Sequence, residues 1–514
     1  MADFRSAPGR SPRWIGSRGT FSNFEFVDQN FASHSVLRRI FSLARKLGHG
    51  GFLVERIVES DCTLLAEENR ALAVRLPDFN GSTVTRFSFF KGETESAPGE
   101  FLGYAIFKQD RHASEEFGHV YEAVMKPPRG RLQNNFVHCM RSYDVVCALG
   151  KFAVRGVLYA QQNDATFVCA HVALRTLLST LLPAQDVDYV TISRLAGVDH
   201  AAPASRVGAR QSERGRGLGP LQIESVLRGV GLESDLATHE PGLTDAELPA
   251  GIEFQRLLYG HLESGTAALL GFELAPDPSG ASSRHIIPVL GHTFNEDLWV
   301  PEAERQYFDH NRGYFPSESW LSTWVAHDDN FGPYVCLPRH YLGRARFRLL
   351  VGCQRRDVSR PAEIAEAFAY DFASKLAAEM GDADPAWLAR FAAFGRAGLL
   401  VLRTFVVEKL LYREHLAEIR DKENFDLEEA NRETFLAALP DRFWLVEFSA
   451  PELFPASRRK FGDVIVHPDD TVAPERAIVG ARLPGFLLFR DGDTWTPRKT
   501  RLAGHTEILS LSTD

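Results

Sequence analysis

Apolar residues recur at helical spacing over Ser35–Leu47 (SVLRRIFSLARKL), and Gly50 and Gly51 then stop the run. Short alternating runs follow at Phe52–Val58, Val84–Phe90, Phe101–Phe107 and His119–Met125. They predict strands separated by turns containing Gly or Pro. Phe152–Tyr159 reads as another strand. Phe167–Leu182 (FVCAHVALRTLLSTLL) is apolar at nearly every position and predicts a helix stopped by Pro183. Short helices are expected at Val190–Gly197, Leu221–Val230 and Phe254–Leu262. Strands are expected at Ala267–Phe272, Ile286–Leu290 and Trp324–His327.

The last third opens with a strand at Phe347–Gly352. It continues as long helices over Pro361–Glu379, Pro385–Ile419 and Asn424–Leu439, and closes in strands and turns from Phe443 onward. The pattern divides the chain into a disordered tail (1–20), a β-rich N-terminal domain (21–150), a mixed domain (151–345) and a helical-plus-β C-terminal region (346–514). The chain has 514 residues, which suits about three domains at ~150 residues each. No internal repeat is present.

Composition narrows the function classes. Formal charge is −9, from 58 basic and 67 acidic residues, which argues against a general nucleic-acid surface. Six cysteines are too few for a disulfide framework and read as free thiols in a reducing compartment. No run reaches the ~18 apolar residues of a membrane span, and the basic N-terminus lacks the apolar core of a secretory signal. A soluble cytoplasmic protein, with no nucleic-acid and no membrane partner, is the expectation. Ala201–Pro220 (AAPASRVGARQSERGRGLGP) reads as an exposed, solvated loop.

Common catalytic signatures are missing. There is no GxxxxGK[ST], no GxGxxG after a strand and no GxSxG. Without CxxC or HExxH, and with Cys169 and His171 two apart on a helix and so on different faces, no metal site and no cofactor are expected. What remains is dispersed. Cys169 lies at a helix start, where free N–H groups and the helix dipole favour a thiolate. His285 opens a strand and can act as its base and acid, with His292 as the rival. Asp328, or its neighbour Asp329, ends the strand WVAHDD and can orient an imidazole, although Asp and Asn before Gly-Pro also suit an Asx turn. Gln162 or Gln161 can supply an amide to an oxyanion hole with the Cys169 backbone N–H.

The order of these parts resembles the bacteriocin-processing, C39-like branch of the papain-like cysteine peptidases. The matching pieces are Gln161-Gln162, Cys169–Leu178, GLGPLQIESVLRGVGL, FQRLLYGHLESGTAALLGFEL leading to HIIPVLGH, and VAHDDNFG. They cover residues 150–345. Ala170 stands where many relatives carry Gly, and the usual Gln-to-Cys gap of six would fall on Asn163. The resemblance implies an α+β papain-like core, a helix packed on an antiparallel sheet, flanked by the β-rich and the helical-plus-β domains. It implies a cysteine peptidase acting on a peptide or protein substrate through a thioester on Cys169, with no cofactor. Two alternatives share the constellation: a non-catalytic peptide-binding scaffold, and a transglutaminase- or deamidase-type acyl transferase.

Overall fold

The alternating runs of the first third pair into one antiparallel sheet. Its strands are β1 (Arg10–Gly16), β2 (Gly51–Ile57), β3 (Phe79–Phe90), β4 (Phe101–His112), β5 (Glu115–Met125), β7 (Arg141–Cys147) and β8 (Gly150–Tyr159). They lie in the order β1-β2-β3-β4-β5-β8-β7. The structure is a computed structural model. It describes residues 3–17, 22–76, 78–112, 115–128, 135–163, 168–182, 187–198, 218–238, 249–273, 284–294, 313–338, 346–354, 357–379, 385–423, 429–454, 459–484, 486–492, 494–499, 508–509 and 511. The apolar stripe at 35–47 becomes α2 (Ser35–Lys46), beside α1 (Ser22–Asn30). Phe41 meets Phe52, Phe87 and Phe89 edge-on at 5.0–5.5 Å, a geometry that aromatic quadrupoles favour. A third helix, α3 (Thr63–Arg75), connects β2 to β3.

The N-terminal segment is not the frayed tail expected over 1–20. Phe4 and Ala7 are fully buried, and β1 pairs with β2. The carbonyls of Phe4, Arg5 and Ala7 accept from Arg86 Nη1, whose guanidinium is itself buried against Glu55. A buried cation far along the chain ties down a segment that looks polar by itself.

A second sheet contains β9 (Glu233–Thr238), β10 (Ala268–Glu273), β11 (Arg284–Phe294), β13 (Leu321–Asp328), β14 (Gly332–Pro338) and β15 (Arg346–Gln354). Its order is β14-β13-β11-β10-β15-β9, with β6 (Asn135–Phe136) added on β11. The apolar run at 167–182 forms α4 (Cys169–Leu181), which touches β8 of the first sheet and β10 of the second. A helix apolar all round must be buried all round, and α4 is buried from Ala170 through Leu178.

This arrangement overturns the expected papain-like α+β core with separate flanking domains. Of the described residues 42% are strand and 35% helix, largely in antiparallel sheets, so the chain is strand-rich. Phe4, Phe87, Leu174, Leu269 and Val325 all belong to one continuous core. The segments 21–150 and 151–345 thus share a core. The chain divides into two compact units built from interleaved pieces. The first comprises Met1–Asp245, Thr266–Gly291 and Thr323–Cys353; the second comprises Ala246–Gly265, His292–Ser322 and Gln354–Asp514.

The second unit holds a third sheet: β12 (Tyr314–Pro316), β16 (Leu400–Glu408), β17 (Arg442–Ser449), β19 (Gly462–Val466), β20 (Ile478–Leu483), β21 (Phe486–Asp491) and β22 (Thr494–Lys499), in that order. A two-residue strand, β18 (Arg459–Lys460), pairs with Ile508–Leu509. The single long helix expected over Pro385–Ile419 is instead helix, strand and helix: Pro385–Ala397, β16 and Lys409–Glu423. Gly398 takes φ +66°, which ends the first helix, and the β-branched run after it suits a strand. Arg403 therefore sits mid-strand, bonded to Glu263 and Glu447. Among the described residues no helix is long and apolar enough to cross a membrane.

Candidate active site

Cys169 is the first residue of α4. The N-cap, Val168, is extended (φ −114°, ψ 175°) and its side chain makes no capping hydrogen bond. An apolar cap has no oxygen to offer the leading N–H groups of the helix. Further along, the one charge on α4 is compensated. Arg175 bonds Glu122 at 2.7 Å and lies over the rings of Tyr121 and Tyr189, each at 5.0 Å. The predicted stop at Pro183 lies outside the described residues.

His285, near the start of β11, is brought close enough to Cys169 for the two side chains to interact electrostatically. The ring also meets both acids. Nε2 lies 3.2 Å from Asp328 Oδ2 and 3.3 Å from Asp329 Oδ1. Burial alone would push the imidazole pKa down; the hydrogen bond to Asp328, the interaction with Cys169 and the charges of Asp329 and Asp328 outweigh it and raise the pKa to about 10. Burial pushes the Asp328 carboxyl up, but His285 and the N–H groups of Asn330 and Phe331 hold it below its usual range. The ring is thus a stable imidazolium at neutral pH.

Asp328 carries both roles weighed from the sequence. Its Oδ1 accepts from Asn330 N (2.8 Å) and Phe331 N (3.2 Å), an Asx turn, which leaves Oδ2 for the histidine. The choice between Asp328 and Asp329 dissolves, because both reach the same ring nitrogen. That nitrogen has one hydrogen to give, so the second carboxylate acts chiefly through its charge.

The end of β13 is held by β8. Tyr159 Oη donates to the carbonyls of Asp328 (3.3 Å) and Asp329 (3.4 Å). His327 Nδ1 lies 3.2 Å from the Leu158 carbonyl. Neither Tyr159 nor His327 was singled out from the sequence. Their signal was only an aromatic strand end and a third polar residue beside the two acids. Replacing Tyr159 by Phe leaves two buried carbonyls short of a donor, and we expect a loss of about 1–2 kcal/mol in urea unfolding. No loss would mean that another contact fixes the acids.

The remaining expectations fare differently. Gln161 is not free for an oxyanion hole: its Oε1 accepts from Val120 N (3.1 Å), and its own N–H donates to Val120 O (2.8 Å), extending the pairing of β8 with β5. Gln162 lies in the described coil after β8, with no hydrogen bond to another described residue; residues 164–167 lie outside the description. His292 lies within β11, buried in the second unit, with Nε2 on Glu263 Oε1, and it serves that core. His171 turns to Ser193 Oγ at 3.1 Å. The other five cysteines are pushed up by burial, Cys62 to about 11 and Cys139 and Cys353 to about 12. The loop at 201–220 falls almost wholly outside the described residues.

Local spacing predicted no metal site, yet the tertiary structure does assemble three possible ligands of two types, one imidazole and two carboxylates. One atom each of His285, Asp328 and Asp329 lie within 4.8 Å of one another, close enough to hold a metal ion. Strand pairing gathers them from positions 43 and 44 residues apart, which no local motif encodes. No family model matches the chain, and no curated protein and no solved structure is similar to it.

Proposed function

We propose that the protein is a cysteine-dependent hydrolase of peptide or isopeptide bonds. Cys169 is the nucleophile, His285 its proton partner, and Asp328 with Asp329 the groups that orient and charge the ring. One observation carries the reading: the His285 ring is hydrogen-bonded to Asp328 and interacts with the Cys169 side chain, at the head of a helix that no side chain caps. The relation to C39-like peptidases is proposed on the chain order Cys, His, Asp and not on the fold.

The residues support a two-step path. The Cys169 thiolate adds to the carbonyl carbon, and the oxyanion takes the Cys169 backbone N–H and, from the preceding coil, the Gln162 amide. The C–N bond breaks as the imidazolium hands its proton to the leaving amine, leaving a thioester and a neutral ring. The ring then takes a proton from water, the hydroxide attacks the thioester, and the acid leaves with the thiolate–imidazolium pair restored. A free catalytic thiol suits a reducing, cytoplasmic setting.

The test is iodoacetamide labelling of the full chain from pH 5 to 11, followed at every cysteine by mass spectrometry. Cys169 should be labelled first at the acid end. A Cys169 that stays inert until the chain unfolds would overturn the enzyme and leave a binding protein. Hydrolysis should fall as pH climbs toward 10, because the proton donor for the leaving amine is then lost. The ion pair follows the same sign. A raised His285 pKa stabilises the fold fully below the ordinary imidazole value of about 6.5, and that contribution fades toward 10. A lowered Asp328 pKa stabilises it above the ordinary carboxylate range and fails as acid protonates it.

A second reading, a divalent-metal hydrolase on His285, Asp328 and Asp329, is favoured by the convergence of three ligand atoms. The two separate on chelation. A thiol enzyme keeps its activity in EDTA and loses it with Cys169→Ala, whereas a metal enzyme loses it in EDTA and regains it with zinc.

A further inference from the structure

A pocket opens beside Cys169 along one face of α4, lined by Cys169, Val172, Ala173 and Thr176. These positions are three, four and seven apart, so they share one helix face, and Thr176 lies about 10 Å down the axis from Cys169. Ala160, Ile286 and Pro288 make the opposite walls apolar, and His327 and Asp329 complete the lining. The enclosed space is small, with room for about one water-sized group.

Two of the lining side chains are buried with an unspent polar atom. His327 is 2% exposed and Thr176 1% exposed, and neither His327 Nε2 nor Thr176 Oγ1 has a hydrogen-bond partner among the described residues. The contrast along α4 is sharp. Ser179 and Thr180 spend their hydroxyls on the helix carbonyls of Thr176 and Leu177; Thr176 does not. The tautomer of His327 follows from its partner. A carbonyl can only accept, so Nδ1 carries the hydrogen donated to Leu158 O. In that tautomer Nε2 is a bare acceptor. Tyr159 and Tyr334 pack edge-on against the ring at 5.4 and 4.8 Å and hold its orientation. A buried polar atom left unpaired costs free energy that a fitting ligand regains.

We infer that this pocket selects the side chain of the residue that donates the acyl group, and that it takes a short side chain bearing a hydrogen-bond donor, of the seryl type. The inference rests on the acyl-transfer reading above. A seryl hydroxyl donates to His327 Nε2 and accepts from the Thr176 hydroxyl. Alanine fits and leaves both atoms bare. Valine and leucine meet the walls of Ala160, Ala173 and Pro288.

The probes are N-acetylaminoacyl fluoromethyl ketones of glycine, alanine, serine, valine and leucine, with the second-order rate of Cys169 labelling read by mass spectrometry on the full chain. The serine probe should label about tenfold faster than the alanine probe, with valine and leucine slowest. Thr176→Val should bring the serine-to-alanine ratio to about one, and Thr176→Ser should restore it. An unchanged ratio in Thr176→Val, or a leucine probe as fast as alanine, overturns the pocket while Cys169 remains the reactive thiol. Wild-type Cys169 that resists iodoacetamide at pH 6 overturns the acyl-transfer reading itself, and this inference with it.

Discussion

Replacing His285 by Ala should slow iodoacetamide labelling of Cys169 at pH 6 by about tenfold, and leave labelling of the other cysteines unchanged. The imidazolium is the charge that favours a thiolate at the head of α4, and the alanine removes it. The low intrinsic nucleophilicity of a stabilised thiolate offsets much of the difference, which keeps the expectation at about ten. The acids should behave unequally to this. Asp328 and Asp329 both lie within 3.3 Å of the same nitrogen. Either Asp→Asn change alone then leaves one carboxylate in place and should cost less than about tenfold, while the double change should approach His285→Ala. A single Asp328→Asn variant as slow as His285→Ala would assign the whole effect to Asp328 and reduce Asp329 to a bystander.

The second large effect lies far from the cysteine. Arg403→Met should destabilise the second unit by about 3–5 kcal/mol, read as a lowered midpoint in thermal or urea unfolding of the full chain. In that unit Arg403 bonds Glu263 Oε2 (2.6 Å), Glu447 Oε2 (3.1 Å) and the Leu511 carbonyl (3.0 Å). Lys460 bonds Glu447 and Asp463, and Arg482 bonds Asp463. Three cations and three carboxylates therefore balance in a buried network. Removing Arg403 leaves Glu447 to Lys460 and Glu263 to His292, one buried positive charge short, which costs far more than the pair contributes. Adding Glu263→Gln to Arg403→Met should recover part of the loss. No recovery would show that the damage is lost packing of the long arginine stem.

How the site was legible turns on two kinds of information. Cys169 was readable because α4 is apolar at nearly every position, so its first residue had to lie at the mouth of a buried helix. Asp328 and Asp329 were readable as a strand end before a Gly-Pro turn, and His285 as the entrance of an apolar strand. These are local facts, fixed by periodicity and turn chemistry. The oxyanion residue was less legible: Gln161 and Gln162 look alike in sequence, and only the backbone exchange with Val120 shows that Gln161 belongs to the sheet. His292 stands seven residues after His285 on β11, an odd spacing, and alternate strand residues face opposite ways. Its partner Glu263 could not be read, because that contact joins elements distant in sequence.

The sequence by itself determined many of the strands, most helices and the Cys–His–Asp order, because hydrophobic period and turn residues act over a few positions. Only the tertiary structure decided that Phe4 and Ala7 belong to the core, since the Arg86 guanidinium that anchors their carbonyls is some eighty residues away. It also decided that 21–150 and 151–345 share one core, and that GLLVLRTFVVE is a strand between helices. A short apolar run satisfies either period, and only a neighbouring strand such as β17 settles which backbone hydrogen bonds are made. The convergence of two carboxylates on one imidazole, and the placing of His327 beside Cys169, are likewise products of strand pairing, which brings side chains together without leaving a spacing in the sequence.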